Sequence, residues 1–268
     1  MIYRKLFNKQ IFILVVLFCI LSGTLFFISY PKIIEIKAEK ISWQVVEEPE
    51  FILRGIKENA NIKVFLIDPQ NEIFSLEKGK DFEIKYGFFT KIKILKKGEK
   101  FKPGLYKLRF EIEKEGKIEI IEKNFPWGVL AINTNKSIYT PGETVYLQIA
   151  VLRNDGHTIC DASLNLEIIS PTFEKTIFST REGTIQKSGE CGPDNVTDKP
   201  DYFAYYKVKE LGVYKIKLKN LNTGYEIEDN FEVKNFVSFD VERIGPTRIW
   251  PKASYEMILK IKTNQDFK

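Results

Sequence analysis

The sequence predicts an all-β fold: tandem antiparallel β-sandwiches carried behind an N-terminal transmembrane helix. Three observations predict it. Short alternating apolar runs follow one another, separated by Gly, Pro, Asn and Asp. Landmarks recur at a spacing of roughly one hundred residues, which marks a tandem array. A single long apolar run, Ile11 to Ile28, lies close behind Arg4, Lys5 and Lys9.

The composition suits folded protein, with 44% hydrophobic and 29% charged residues in a chain of 268, long enough for two or three domains. The formal charge of +5 misleads, because three of the 41 basic residues precede the apolar run while all 36 acidic residues follow it, leaving +2 on the remainder. A nucleic-acid binder needs a basic stripe. Here Lys and Glu interleave, as in Glu111-Ile112-Glu113-Lys114, and read as solvated strand faces, so no nucleic-acid partner is expected.

Residues 1–10 form a basic segment and 11–30 a span long enough for a hydrocarbon core of about 30 Å. The flanking cations place the amino terminus in the cytoplasm and the bulk outside, as a single-pass protein of the cell membrane. A cleaved signal peptide is the rival. It favours a shorter apolar region ending in small residues, and Phe27-Ile28-Ser29-Tyr30-Pro31 offers only Ser29. Cys19, behind bulky Leu17-Phe18, reads as membrane-buried rather than as a lipidation site.

Residues 31–127 are expected to form the first sandwich. Ile33, Ile34 and Ile36 are open between a stalk and a first edge strand. Strands follow at Phe51-Ile52-Leu53, Ile62 to Ile67 closed by Asp68-Pro69, Ile73 to Leu76, Phe82 to Tyr86, and Lys91 to Leu95. A late strand at Pro103 to Phe110 pairs with Ile118 to Phe125, and Trp127 closes the unit.

Residues 128–234 are expected to form the second sandwich. Thr140-Pro141-Gly142-Glu143 is a turn because Pro141 presets φ and Gly142 tolerates φ > 0. From Val145 the chain alternates Val145 in, Tyr146 out, Leu147 in, Gln148 out, Ile149 in, Ala150 out and Val151 in. Leu164 to Ile169 is closed by Ser170-Pro171, Gly212 to Leu218 is the late strand, and Tyr225 to Val233 ends the unit. Pro69 and Pro171, Phe74-Ser75 and Phe178-Ser179, and Tyr106 and Tyr214 are the paired landmarks, and a repeat of this size matches one immunoglobulin-like sandwich. Residues 235–268 read as the start of a third, incomplete sandwich: Arg248-Ile249-Trp250-Pro251 and then Tyr255 to Ile261 repeat the Ser137 to Pro141 pattern. Two strands expose an apolar face and unpaired edges, so this end is expected to continue in a longer protein or to pack on another unit or partner.

Thr134-Asn135-Lys136-Ser137-Ile138-Tyr139-Thr140-Pro141-Gly142-Glu143-Thr144-Val145 resembles the start of the second macroglobulin-type domain of the alpha-2-macroglobulin family and of related bacterial immunoglobulin-like surface domains. Asp155-Gly156, Asp161-Ala162, Ser170-Pro171 and Gly212-Val213-Tyr214 extend the resemblance over about residues 129–233. It implies a β-sandwich in which Tyr139, Pro141 and Gly142 have structural roles. The family's bait region is not recognisable, and its Cys-Gly-Glu-Gln thioester is missing, since Gly189-Glu190-Cys191-Gly192 has the wrong order. Protease trapping is therefore not expected of this chain.

Cys160 and Cys191 are the two cysteines outside the apolar run, and an extracytoplasmic compartment makes a disulfide the economical reading against two unrelated thiols. Asp194, Asp198 and Asp201 give calcium-type oxygens but lack the regular spacing and glutamate of a calcium loop, so polar turn composition explains them better. Asn135-Lys136-Ser137 and Asn195-Val196-Thr197 fit the glycosylation sequon, a pattern short enough to recur by chance. His157 is the sole histidine, in the turn Asn154 to His157, and argues against histidine-based triads and two-His metal sites; no nucleophile elbow, phosphate loop or dinucleotide fingerprint occurs. Tyr202-Phe203-Ala204-Tyr205-Tyr206 divides between core packing and stacking on a sugar or peptide, while Tyr106 and Tyr214 suit tyrosine-corner contacts. No enzyme activity and no cofactor are expected. The leading reading is a membrane-anchored surface protein with scaffold, adhesion or protein-interaction modules that meets a protein or glycan on its outer face. The alternatives are the stem of a longer enzyme or macroglobulin-like inhibitor, and a carbohydrate-binding module.

Overall fold

The computed structural model describes residues 34–56, 60–95, 101–114, 116–192, 199–244, 254 and 256–263. Two compact units divide the chain, Met1–Ile34 and Glu35–Lys268; of the first only Ile34 is described. The expected basic segment 1–10 and span 11–30 lie outside the described residues. Among the described residues no helix is long and apolar enough to cross a membrane.

All regular structure among the described residues is β. The first eight strands are β1 (Glu35–Ala38), β2 (Glu50–Arg54), β3 (Asn61–Ile67), β4 (Ile73–Leu76), β5 (Phe82–Lys85), β6 (Thr90–Ile94), β7 (Gly104–Lys114) and β8 (Lys117–Trp127). They form two antiparallel sheets, in the orders β1-β2-β6-β5 and β4-β3-β7-β8. The stretch left open between stalk and strand is therefore an edge strand from Glu35, paired with β2 through Ile36 opposite Leu53. Aromatic rings join the sheets. Phe51 of β2 meets Phe125 of β8 edge-on at 5.0 Å, and Trp43 lies 5.4 and 5.6 Å from the two.

The next nine strands are β9 (Leu130–Thr134), β10 (Ile138–Tyr139), β11 (Thr144–Val151), β12 (Leu164–Ile169), β13 (Lys175–Ser179), β14 (Gln186–Lys187), β15 (Tyr202–Lys207), β16 (Gly212–Asn220) and β17 (Glu226–Val233). Their sheets run β14-β15-β11-β9 and β10-β17-β16-β12-β13. The same topology therefore occurs twice, with β2, β3, β6, β7 and β8 standing where β11, β12, β15, β16 and β17 stand later. The core of the second sandwich draws on both sheets: Ile132, Val145, Leu147 and Ile149 from one, and Leu164, Leu166, Ile168, Ile216, Leu218 and Phe231 from the other. Along β11 the buried positions are Val145, Leu147, Ile149 and Val151, the alternation read from the sequence.

The approach to the Thr140–Glu143 turn is split between the two sheets. The run before Thr140 breaks at Asn135, so that β9 pairs antiparallel with β11 while β10 crosses to the opposite sheet and runs parallel to β17. Asn135 enforces the switch. Its Oδ1 accepts hydrogen bonds from the Tyr139 hydroxyl (2.8 Å) and the Tyr146 amide (2.9 Å), tying the bend to both sheets at once. The first sandwich makes the same parallel contact as a single bridge, Trp43 to Trp127.

The repeated landmarks mark a shared clamp. The Tyr106 hydroxyl donates to the Lys102 carbonyl at 2.7 Å, and the Tyr214 hydroxyl to the Glu210 carbonyl at 3.2 Å while accepting the Glu210 amide at 3.0 Å. Two residues before each tyrosine stands a glycine against the proline of the β3–β4 or β12–β13 turn. A Cβ on Gly104 would lie 2.3 Å from Pro69, and one on Gly212, whose φ is +124°, 3.0 Å from Pro171. Beyond β17, β18 (Phe239–Ile244) pairs antiparallel with β19 (Ile258–Thr263), and every β19 side chain is exposed. Arg248 to Pro251, on which part of the third-unit reading stood, lie outside the described residues. The charged strand faces carry cross-strand pairs such as Lys217 to Glu226 and Arg109 to Glu122, each worth little to stability at such exposure.

Three outcomes are expected. Tyr214→Phe strips the part-buried Glu210 amide and carbonyl of their partner and lowers stability by about 1 to 2 kcal/mol in chemical denaturation. Burial pushes the hydroxyls of Tyr106, Tyr139 and Tyr202 up to about 12, above the value of about 10 that each has when unfolded. Their contribution to stability is complete below pH 10 and is lost as pH rises through 12, so tyrosinate absorbance and the loss of β-sheet circular dichroism rise together in that window. The third concerns the disulfide between Cys160 and Cys191, which is formed with Cα atoms 5.8 Å apart across 31 positions. Replacing both cysteines by serine lowers the denaturation free energy by about 3 to 4 kcal/mol, and reductant then has no further effect.

Candidate ligand-binding face

A β-strand sends successive side chains to opposite faces, and β15 divides its aromatic residues in this way. Tyr202 points inward. It is 2% exposed, its hydroxyl donates to the Ile159 carbonyl and accepts the Ala162 amide, both at 2.8 Å, and it anchors the segment that carries Cys160. Ala204 is buried beside it, and Tyr206 packs edge-on against Phe178 and Tyr214. Phe203 and Tyr205 take the opposite face.

The antiparallel register brings a third ring to them. Tyr146 of β11 stands opposite Tyr205, and the two rings stack with centroids 5.1 Å apart. Phe203 lies 6.1 Å from Tyr146 and 5.7 Å from Tyr205, edge-on to the latter. These spacings fall in the range where aromatic quadrupoles attract, so the rings hold one another in place without a covering layer. Tyr205 is 54% exposed. Partial burial, and then the neighbouring Tyr205, raise the Tyr146 pKa above the ordinary phenol value.

Uncharged amides flank the rings. Asn133, Gln148, Phe203 and Gln186 are paired in one row across β9, β11, β15 and β14. The face thus combines an exposed apolar platform with carboxamides able both to donate and to accept hydrogen bonds. Such a face can stack on a flat apolar surface and read polar groups at its margin. The strands that carry it are backed by the buried core, and the disulfide ties the segment beyond β14 to the segment before β12.

Of the other residues singled out in the sequence, Tyr139 is fully buried against Phe231, and Gly142 takes φ +88° in the turn after Pro141, where its amide donates to the Val208 carbonyl at 2.9 Å. Asp201 is buried at 4% exposure, whereas Asp194 and Asp198 lie outside the described residues. Among the described residues no group of three His, Cys, Asp or Glu side chains is placed to hold a metal ion. Asn135 of the first sequon is the two-sheet clamp described above, and Asn195 of the second lies outside the described residues. Tyr146 is legible in the sequence as outward-facing, but nothing in the linear order joins it to Phe203 and Tyr205, more than fifty positions away.

No family model matches the chain, and no curated protein matches it by sequence. Among solved structures, similarity is found to FdeC, an adhesin of Escherichia coli, at 10% identity over 75% of this chain and 64% of that one, with a TM-score of 0.26. A Salmonella alpha-2-macroglobulin mutant is similar at 11% identity over 82% of this chain and 19% of that one, with a TM-score of 0.28. A titin segment is similar at 10% identity over 75% of this chain and 97% of that one, with a TM-score of 0.27. The chain therefore spans under two thirds of the adhesin structure and about a fifth of the macroglobulin.

Proposed function

We propose that this chain is a membrane-anchored, extracytoplasmic interaction module of the adhesive kind, held by residues 11–30 and meeting its ligand through the Tyr146, Phe203 and Tyr205 face. The observation that carries this reading is the mutual packing of three rings on one outward sheet face, Tyr146 stacked on Tyr205 with Phe203 beside them and Tyr205 54% exposed. Solvent-facing aromatic side chains grouped in this way supply contact area at low conformational cost, which is why such residues dominate binding hot spots. The tandem sandwiches act as the spacer that carries the face away from the membrane. The second of them is read more finely as a macroglobulin-type domain, on the residues Thr134 to Val145.

A glycan ligand is a second reading, and the amide row of Asn133, Gln148 and Gln186 favours it, because carboxamides match the paired donors and acceptors of sugar hydroxyls. The test is adhesion of cells displaying the chain to surfaces coated with protein or with neutral polysaccharide. Tyr205→Ala combined with Tyr146→Ala is expected to reduce binding at least tenfold at unchanged display, since hot-spot truncations cost about 2 kcal/mol or more. Retention on protein coats alone selects the first reading and on polysaccharide alone the second. Undiminished adhesion by the double variant removes the face from the function.

A further inference from the structure

The outer edge of β17 is closed from two directions. At its far end the Glu232 amide donates to the Ser137 carbonyl and the Lys234 amide to the Tyr139 carbonyl, contacts made within the second sandwich. At its near end the partners come from the first sandwich. The Ser42 hydroxyl donates to the Glu226 carbonyl at 2.7 Å and stands 3.2 Å from the Glu226 amide, which donates to it, while Gln44 Nε2 donates to the Glu228 carbonyl at 2.9 Å. Two side chains thus occupy the places where a neighbouring strand would offer its backbone. Ser42 is 1% exposed.

The strap that carries them is fixed by the first sandwich's own core. Trp127 Nε1 is shared between the Gln44 and Glu47 carbonyls at 3.1 Å each, and the Trp43 amide and carbonyl bond to Pro126 and Gly128. A second contact is made elsewhere on the joint. The Leu105 amide donates to the Asn154 carbonyl at 2.8 Å, and Asn154 is steadied by the Tyr225 hydroxyl on its Oδ1 at 3.1 Å. The approach there leaves no room for side chains, since a Cβ on Gly104 would lie 2.6 Å from the Asn154 carbonyl and one on Gly156 2.9 Å from that of Pro103. Only Gly128 and Val129 separate β8 from β9, and Val129 is buried.

Domains in tandem are expected to move against each other unless a large apolar interface prevents it. Here the joint is polar and made largely to backbone. We infer that Ser42 and Gln44 form a latch which, with the Leu105–Asn154 bond, makes the two sandwiches open and close as one cooperative joint, so that the aromatic face keeps a fixed orientation to the first sandwich. Coupling of this kind lowers the entropy a ligand must remove on binding. The inference does not depend on what the aromatic face binds.

The test is residue-resolved amide hydrogen exchange on the full chain in detergent micelles, comparing wild type with Ser42→Ala and Ser42→Ala/Gln44→Ala. In wild type the Glu226 and Leu105 amides are both protected. In the variants Glu226 exchanges faster through loss of its own partner, and the latch predicts that Leu105, which touches neither substituted side chain, also quickens by about fivefold or more. Amides in the middle of β7 and β16 keep their rates, which separates joint opening from unfolding. Gly156→Ala, acting from the other contact, is expected to quicken Glu226 in return. Acceleration of Glu226 alone, no acceleration at either amide, or absence of protection in wild type overturns the inference.

Discussion

The clamp between a tyrosine, a glycine two residues before it and the proline of a facing turn is the constraint on which both sandwiches depend. It joins three requirements in a few residues. The hydroxyl of Tyr106 or Tyr214 satisfies backbone groups at the entry to β7 or β16, the glycine removes the atom that would collide with Pro69 or Pro171, and the ring fills the core. A central strand fixed at its entry has its register fixed along its whole length, because slipping by one residue would turn its buried face to water. In β16 that face holds Tyr214, Ile216 and Leu218. The neighbours β12 and β17 then pair along its two edges.

With the central strands set, the charged residues fall where they cost least. The outward positions of β16 carry Lys215, Lys217 and Lys219, and Lys217 meets Glu226 of β17. The same arrangement holds Glu122 between Arg109 and Lys107, whose hydrogen bonds keep its carboxyl below the usual carboxylate range. These pairs are screened and contribute little, but they stop the outer faces from associating edge to edge or face to face. On the β11–β15 face, by contrast, three aromatic rings pack together where the outward positions of β16 carry lysines.

The junction follows from the same economy of backbone groups. An edge strand exposes unpaired donors and acceptors, and β17 needs partners along its open side. The second sandwich supplies them at one end through β10, and the first supplies them at the other through Ser42 and Gln44. Closing the edge and joining the sandwiches are therefore one event. Trp127 links this event to the first core, for its indole holds the strap while its ring packs with Tyr106 and Phe125.

Alternation and turn chemistry are local and are written in consecutive residues, so the linear order is enough to establish the all-β class, the tandem repeat and the face to which each residue of β11 points. It also points to the Cys160–Cys191 pair, since two cysteines leave one pairing to weigh. Other features depend on residues far apart along the chain. Asn135 reads as one more loop asparagine until it is seen to bind Tyr139 and Tyr146 together and so to switch the chain between sheets. Tyr146 reads as a solvated strand residue until the pairing of β11 with β15 sets it on Tyr205. Ser42 is an ordinary serine in sequence and a buried latch in three dimensions, 184 positions from the backbone it holds. Local patterns fix which side of a strand a residue occupies; strand order and register, which arise from contacts between distant segments, determine which residues share that side and what they can do there.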